Sequence, residues 1–550
     1  MKERKRRVII KINEWEIWHS YYTYLNCQKI DLLTVAKELV KSKLAYCAMH
    51  KDGQTFLLIE DDILEGNTII KINSKKIGAE IIFKGNNGDF DSFEGFTYEA
   101  WYQASYFKFN EMRLFVEESP ALPSYIRFFL GECSLYSEEE NRIIICYPIV
   151  KLFESGIMIV EFRTMNSDRP IMIDKFIKNH VNLFNTSFEK IKVPPTLSKL
   201  STHSYYQYSL DKPSIFLRAK ILYLSKEHDK IVDDLTEISE GKSSFTFKRA
   251  PLSNEGYDTL SSLAQTIFTT IGYVISKPRK GIEYVFLGQK KLIRRGNFWA
   301  GKPNIHLINF SNQKKTAKEN EKLYKKDFSR IMTRSMIDDN NISDYISKDY
   351  RFFDDFNTYI NASTTLCVWS LSGILKEEKF KDLNRGHLIY GQQVKIEMLE
   401  YGYILHKGLY ERCLSYKDLD EVLITREYLV KFSQAMRESS YFGEIRDLLE
   451  HGWNEMGVKE IKKDILEMLE IKGVSSSLAE ARHTRKIDGK LTVLFGIFAV
   501  PQLAKEVVEP LWNIVGFWRP IEKTYSNLFL IFVTVLMIIG IIKIFSKKKS

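Results

Sequence analysis

The sequence predicts an α+β cytoplasmic domain followed by a long helical stalk and a C-terminal two-helix transmembrane hairpin. Three observations carry this. From residue 8 to about 311, runs rich in Ile, Phe, Tyr and Val, bounded by Gly, Asn or Asp, alternate with shorter helical patterns. From about Lys314 the strand signals fade and apolar residues recur at helical spacing. Near the C-terminus, Tyr525 to Ile542 carries no formal charge and is close to the length that crosses a hydrocarbon core as a helix.

The 550 residues exceed what one compact core supports, so two or more domains are expected. With 44 % hydrophobic and 27 % charged residues and only 13 prolines, the composition is that of a folded chain with little disorder. The cysteines form no CxxC pair and their spacing is irregular, which argues against a disulfide framework or a zinc site and fits a reducing compartment. A basic start, Met1 to Arg7, leads into Val8-Ile9-Ile10-Lys11 rather than an apolar run, so no secretion signal is expected. Part of the net charge of +10 sits in two blocks, Lys2 to Arg7 and Lys547 to Lys549. No basic stripe with interleaved aromatics stands out, so direct DNA or RNA binding is not expected.

In chain order, the strand-like runs are Val8–Ile12, Thr55–Ile59, Thr68–Ile72, Glu80–Phe83, Arg142–Cys146, Gly156–Phe162, Ser214–Tyr223, Glu283–Leu287 and Ile305–Phe310. Leu32–Lys43 and Lys175–Phe188 read as helices. Residues 1–311 are therefore expected to form an α/β sensor domain, with Val193-Pro194-Pro195 opening a subdomain boundary near 193–213. Residues 312–478 read as helical, with apolar spacing clearest in Leu423–Met436 and Ile461–Leu469. The stalk end and first membrane helix are expected over 479–510, an external loop over 511–524, the second membrane helix over 525–545 and a basic cytoplasmic tail over 546–550.

Within the first membrane segment, Leu491 to Ala504 is uncharged, before Lys505, Glu506 and Glu509 intervene. Basic residues precede it (Arg482, Arg485, Lys486, Lys490) and follow the second (Lys543, Lys547 to Lys549), which describes a hairpin with both chain ends cytoplasmic. An interfacial helix is the alternative for the first segment.

Signs of an enzyme are weak. Gly296-Asn297-Phe298-Trp299-Ala300-Gly301-Lys302 matches a P-loop until Pro303 replaces the magnesium-holding Ser or Thr, and a strand rather than a helix follows. Asn86, Asn87, Asp89, Asp91 and Glu94 fail the EF-hand spacing and read as a solvated turn. No HExxH or HxH pair occurs. Arg294, Arg295, Lys302 and His306 flank Trp299 and form a candidate site for an anionic ligand whose base stacks on the indole; surface charge on a strand pair is the alternative. No catalytic residue is assigned.

The C-terminal third resembles the CorA family of divalent-cation channels. The resemblance rests on the order of Ala479–Ala504, the loop around Trp512 and Leu528–Phe545, on Leu491-Thr492, Ile497-Phe498 and Pro501, and on the Lys547-Lys548-Lys549-Ser550 tail. The family's Gly-Met-Asn signature is missing; Pro510-Leu511-Trp512-Asn513 stands there, and Asn513 falls one residue late. The resemblance implies a homo-oligomer, pentameric in that family, in the inner (plasma) membrane, with the bilayer and further copies of itself as partners. It implies a pore lined by Gly489, Thr492, Gly496, Val500, Leu503, Val507 and Asn513; those up to Val507 recur three or four apart on one helix face. No cofactor is required, a divalent cation such as magnesium being the candidate. CorA-like proteins encoded beside type III CRISPR systems carry enlarged cytoplasmic parts and are gated by nucleotide second messengers. The expectation is accordingly a channel opened by a small nucleotide for antiviral defence; a divalent-cation transporter and an anchored binding or scaffold protein without a pore are the alternatives.

Overall fold

A computed structural model describes residues 10–474 apart from intervals of which 249–258 and 375–385 are the longest, and only scattered positions beyond 474. The strands in chain order are β1 (Lys11–Leu25), β2 (Cys47–His50), β3 (Gln54–Ile59), β4 (Asp62–Asn73), β5 (Gly78–Gly85), β6 (Tyr125–Phe129), β7 (Cys133–Ser137), β8 (Arg142–Phe153), β9 (Ile157–Met165), β10 (Ile171–Met172), β11 (Lys190–Val193), β12 (Glu237–Ser239), β13 (Lys242–Lys248), β14 (Arg295–Trp299), β15 (Pro303–Phe310), β16 (Phe356–Ile360) and β17 (Thr365–Trp369). The helices are α1 (Leu32–Lys41), α2 (Gly95–Leu114), α3 (Ile173–Phe176), α4 (Pro195–Tyr208), α5 (Ile215–Asp234), α6 (Leu260–Ile275), α7 (Gly281–Leu287), α8 (Ala317–Met332), α9 (Gly386–Ser415), α10 (Leu419–Arg437) and α11 (Gly443–Glu455). Residues 458–474 are also helical.

Local chemistry explains many of the boundaries. The Asp31 carboxylate accepts from the Thr34 amide and opens α1. Reciprocal capping boxes, Thr259 with Ser262 and Thr316 with Glu319, open α6 and α8. The β8–β9 hairpin turns through Gly156, whose φ of 86° suits glycine.

The main sheet runs β5-β4-β3-β2-β6-β8-β9-β1-β15-β17-β16, all antiparallel except β15 beside β17. β8 also joins a second sheet, because its first half pairs with β7, and β7 continues to β11 and β13. Among the described residues β5 and β16 each have one neighbour, so the sheet is open at both ends.

Period-two alternation gives this sheet two different faces. Alternate residues of β1, β6, β8 and β9, such as Tyr21, Ile126, Val150 and Phe162, enter an apolar core with α1 and α6. Trp15 and Ile17 join Ile305, Leu307 and Phe328 of α8 in a second core. The intervening residues carry buried charge on the other face, described below.

Several expectations change. The strand-like runs Ser214–Tyr223 and Glu283–Leu287 lie in α5 and α7; their β-branched and aromatic content is carried by helices. Lys175–Phe188 is not one helix, since α3 ends at Phe176 and a π-turn covers Ile177–Val181. Beyond residue 311, β16 and β17 extend the main sheet.

The expected fold class, an α+β body with a long stalk and a transmembrane hairpin, is corrected. Among the described residues no helix is long and apolar enough to cross a membrane. Charged side chains break up the described C-terminal helices, as with Arg426, Glu427 and Lys431 in α10, and such groups are costly in hydrocarbon. The chain is a mixed α/β protein, with seventeen strands among the described residues. The multi-pass location in an inner membrane and the transmembrane-channel description fall with the hairpin. The segments on which they were read, Leu491–Ala504 and Tyr525–Ile542, lie almost wholly outside the described residues, as do all of Gly489, Thr492, Gly496, Val500, Leu503, Val507 and Asn513.

The chain forms two compact units, Met1–Glu411 with Tyr428–Asp464, and Arg412–Glu427 with Ile465–Ser550. In the second, Lys472 Nζ donates to the Leu414 carbonyl at 3.1 Å. The sites below belong to the first.

Candidate functional site

The polar face of the sheet is covered by α9. Its residues Tyr390, Gln393, Glu397, Glu400 and Glu411 recur at spacings of three, four, three and eleven, so they share one helix face. That face meets basic and polar side chains from β1, β6, β8, β9 and β15. Arg127 of β6 grips Glu397 through two guanidinium nitrogens, each 2.6 Å from a carboxylate oxygen. Lys151 of β8 donates to Glu397 at 2.9 Å and to Glu111 of α2 at 2.7 Å. Arg163 of β9 binds Glu16 at 2.8 and 3.0 Å, and also donates to the Tyr390 hydroxyl at 3.2 Å. Gln393 donates to Glu161. Glu400 accepts from Tyr22 at 2.7 Å and from Asn304 at 2.9 Å.

Burial and charge set the protonation of this layer. Burial would raise the Glu397 carboxyl, but Arg127 and Lys151 outweigh it and hold it at about 2. For Glu161 the balance reverses: burial, then Glu397 and Glu400, outweigh Arg127, push it well up and favour its neutral form. Burial also raises Glu400, opposed by Lys302. Five buried acids (Glu16, Glu111, Glu161, Glu397, Glu400) thus lie among four buried bases (Arg127, Lys151, Arg163, Lys302), and burial turns Glu161 and Glu400 toward the neutral form. Lys302 is 3 % exposed and Glu400 0 %, so no ligand reaches them unless α9 moves.

The residues singled out from sequence divide between two places. Lys302 and His306 lie in this buried layer. Burial lowers the Lys302 amine to about 8 and the His306 imidazole to about 4. Arg295 and Trp299 sit on β14, where Arg295 donates to Gln265 at 3.0 Å and the Trp299 ring lies 5.9 Å from that of Tyr24. Arg294 lies outside the described residues. The glycine of the P-loop-like run has a packing role: a Cβ at Gly301 would fall 1.2 Å from the Ser20 carbonyl oxygen. Of the acidic loop expected near Asn86, residues 87–94 lie outside the described residues. Among the described residues no group of three or more His, Cys, Asp or Glu side chains could hold a metal ion.

A groove of about 560 Å³ opens beside the distal half of α9, within the range of small-molecule sites. His406 of α9, Phe432, Ser433, Met436 and Arg437 of α10, Trp453 of α11 and Lys462 line it, among others. The Phe432 ring lies 5.7 Å from His406 and 6.0 Å from Trp453, which gives the groove an aromatic floor. Trp453 donates to the Leu399 carbonyl at 3.0 Å. It lies so close to α9 that a Cβ at Gly402 would be 2.6 Å from the indole. Four basic residues (Arg437, Arg446, Lys459, Lys462) and two acidic ones (Asp447, Glu450) surround this floor. The Lys462 amine, 2.7 Å from the Ser433 hydroxyl, is lowered by burial and then by Arg437. Burial lowers His406 to about 4.

Sequence reading missed the groove because its residues come from four helical segments and form no motif. The pair Gly452-Trp453 was the one local signal, a large ring beside a residue that permits close helix contact. Compared with family models, curated proteins and solved structures, the chain matches none of them, so these comparisons identify no CorA-like family and assign no other.

Proposed function

We propose that this chain is a ligand-binding protein, whose groove takes a small anionic ligand bearing a planar ring, of the nucleotide class. The observation that carries the reading is the pair of cations, Arg437 and Lys462, neither in an ion pair among the described residues, over an aromatic floor. Burial first, and then the Arg437 guanidinium, depress the Lys462 amine, and a bound anion would offset both. The rings of Phe432 and Trp453 offer a stacking surface. The reading keeps the ligand-sensing part of the sequence expectation and leaves out conduction. α9 connects the groove to the sheet: Gly402 and His406 face the groove, and Glu397 and Glu400, one turn away, hold the charge layer. Occupancy that shifts α9 would therefore strain a layer with little tolerance for unpaired charge.

The test is titration of the full chain with ATP, AMP, cyclic AMP and inorganic phosphate, followed by calorimetry and thermal melting. At least one nucleotide should bind and raise the melting temperature, by about 2.7 kcal/mol of stability at a hundredfold excess over its Kd. Phosphate should bind more weakly, and Arg437→Ala and Lys462→Ala should each weaken binding about tenfold or more. No binding by any nucleotide, or equal binding by both variants, would overturn the reading.

A further inference from the structure

α5 is a twenty-residue helix with one buried stripe. Ile221, Ser225 and Val232 face α4 and the body; Lys199 of α4 pairs with Asp233 at 2.5 Å, and His203 with Asp229 at 3.0 Å. The opposite stripe, by the 100° helical step, holds Phe216, Lys220, Tyr223, Glu227, Lys230, Ile231 and Asp234. Three of these are large and apolar yet lie open: Phe216 is 88 % exposed, Tyr223 62 % and Ile231 51 %. Arg218 of α5 anchors α7 by donating to the Val285 carbonyl at 2.7 Å, and α7 has its own exposed Ile282 and Phe286. On this stripe the exposed apolar side chains alternate with Lys220, Glu227, Lys230 and Asp234, a mixture suited to an interaction surface.

The charge pattern indicates what fits there. Basic residues Arg218 and Lys220 lie toward the N-terminal end of α5, and Asp233 and Asp234 close its C-terminal end. This order opposes the helix dipole, which favours acid first and base last, so local helix stability does not account for it. Lys220 and Asp234 are exposed, and neither forms an ion pair among the described residues. An antiparallel copy of the same helix supplies what each lacks.

We infer that α5 is the two-fold contact of a homodimer, with α5 of a second copy packed antiparallel across the open stripe. A two-fold axis at Glu227 sets Lys220 of each copy against Asp234 of the other, and Tyr223 against Ile231, because both pairs are centred on residue 227. Each Glu227 at the axis is held by its own Lys230, 2.9 Å away, which reduces the repulsion between the two carboxylates. A self-complementary patch of this kind is what a two-fold interface requires.

Sedimentation velocity on the full chain, over a dilution series, tests this. The wild type should pass from dimer to monomer on dilution. Tyr223→Asp and Ile231→Asp should each weaken the dimer about tenfold or more while leaving the circular dichroism spectrum unchanged, since both side chains are exposed. Lys220→Asp and Asp234→Lys should each weaken it, and the double variant should restore it, a rescue that a folding defect would not produce. A wild-type chain that stays monomeric at the highest concentration, or a dimer indifferent to these substitutions, would overturn the inference.

Discussion

The two faces of the main sheet are built from the same strands and obey different rules. On one face, Ile126, Val150, Leu152 and Phe162 pack with α1 and α6 as an apolar core. On the other, from neighbouring positions of those strands, Arg127 and Lys151 meet the carboxylates of α9 and α2, Arg163 holds Glu16 of β1, and Glu161 accepts from Gln393 of α9. The apolar face supplies free energy roughly in proportion to area and tolerates changes of shape. The charged face gains little net energy, because desolvation offsets its ion pairs, but it penalises any arrangement that leaves one charge alone. Affinity for the sheet comes from one side, and the register of α9 from the other.

Removing one cation is the strongest way to break this contrast. Arg127→Met leaves Glu397 and Glu111 buried with only Lys151 between them, and should cost about 3–5 kcal/mol in urea denaturation. Leu152→Ala on the apolar face should cost about 2–5 kcal/mol, set by the cavity it leaves. If Arg127→Met costs under about 1 kcal/mol, the charge layer does not hold α9.

Acid should act next most strongly. His19, His306 and His406 are lowered by burial to about 3, 4 and 4. A folded-state value below that of the unfolded chain contributes stability present above pH 6.5 and lost as pH falls through the folded value. Each buried histidine should therefore cost on the order of 3 kcal/mol as pH drops from 6.5 toward 4 and below. The Glu397 contribution fades in turn between about 4.5 and 2. Melting temperatures over that range should fall steeply, and His306→Gln should flatten the curve; an unchanged slope would show that His306 is not charged on unfolding.

The smallest effect sharpens the comparison. Burial and the neighbouring carboxylates Glu397 and Glu400 drive Glu161 toward the neutral form. Glu161→Gln keeps a neutral acceptor for Gln393 and should change stability by less than about 0.5 kcal/mol near pH 7. A loss comparable to that of Arg127→Met would mean that Glu161 is ionised.

Much of the sheet was legible in the sequence. Thr55–Ile59, Thr68–Ile72, Glu80–Phe83 and Ile305–Phe310 all fall inside β3, β4, β5 and β15. Strand chemistry is written locally, in β-branched and aromatic residues between turn formers. α5 was misread because Ile215, Phe216, Leu217 and Tyr223 have strand-like composition; the Ser214 cap and packing on α4 decided for helix. α9 was invisible as a covering helix because its buried face is polar, so hydrophobic periodicity says nothing about where it packs. Lys302 and His306 were picked out as a ligand site, yet they serve inside the layer under α9, because alternation along β15 turns them inward and only the tertiary fold determines what covers that face.

By itself the sequence determined where strands form and which helices are capped, since those preferences act over a few residues. Only the tertiary structure decided which sheet face is dry and apolar and which is charged, and which cations meet which carboxylates. Pairs such as Arg127 with Glu397 lie 270 positions apart, and a charge is matched by whatever the fold places within hydrogen-bond reach.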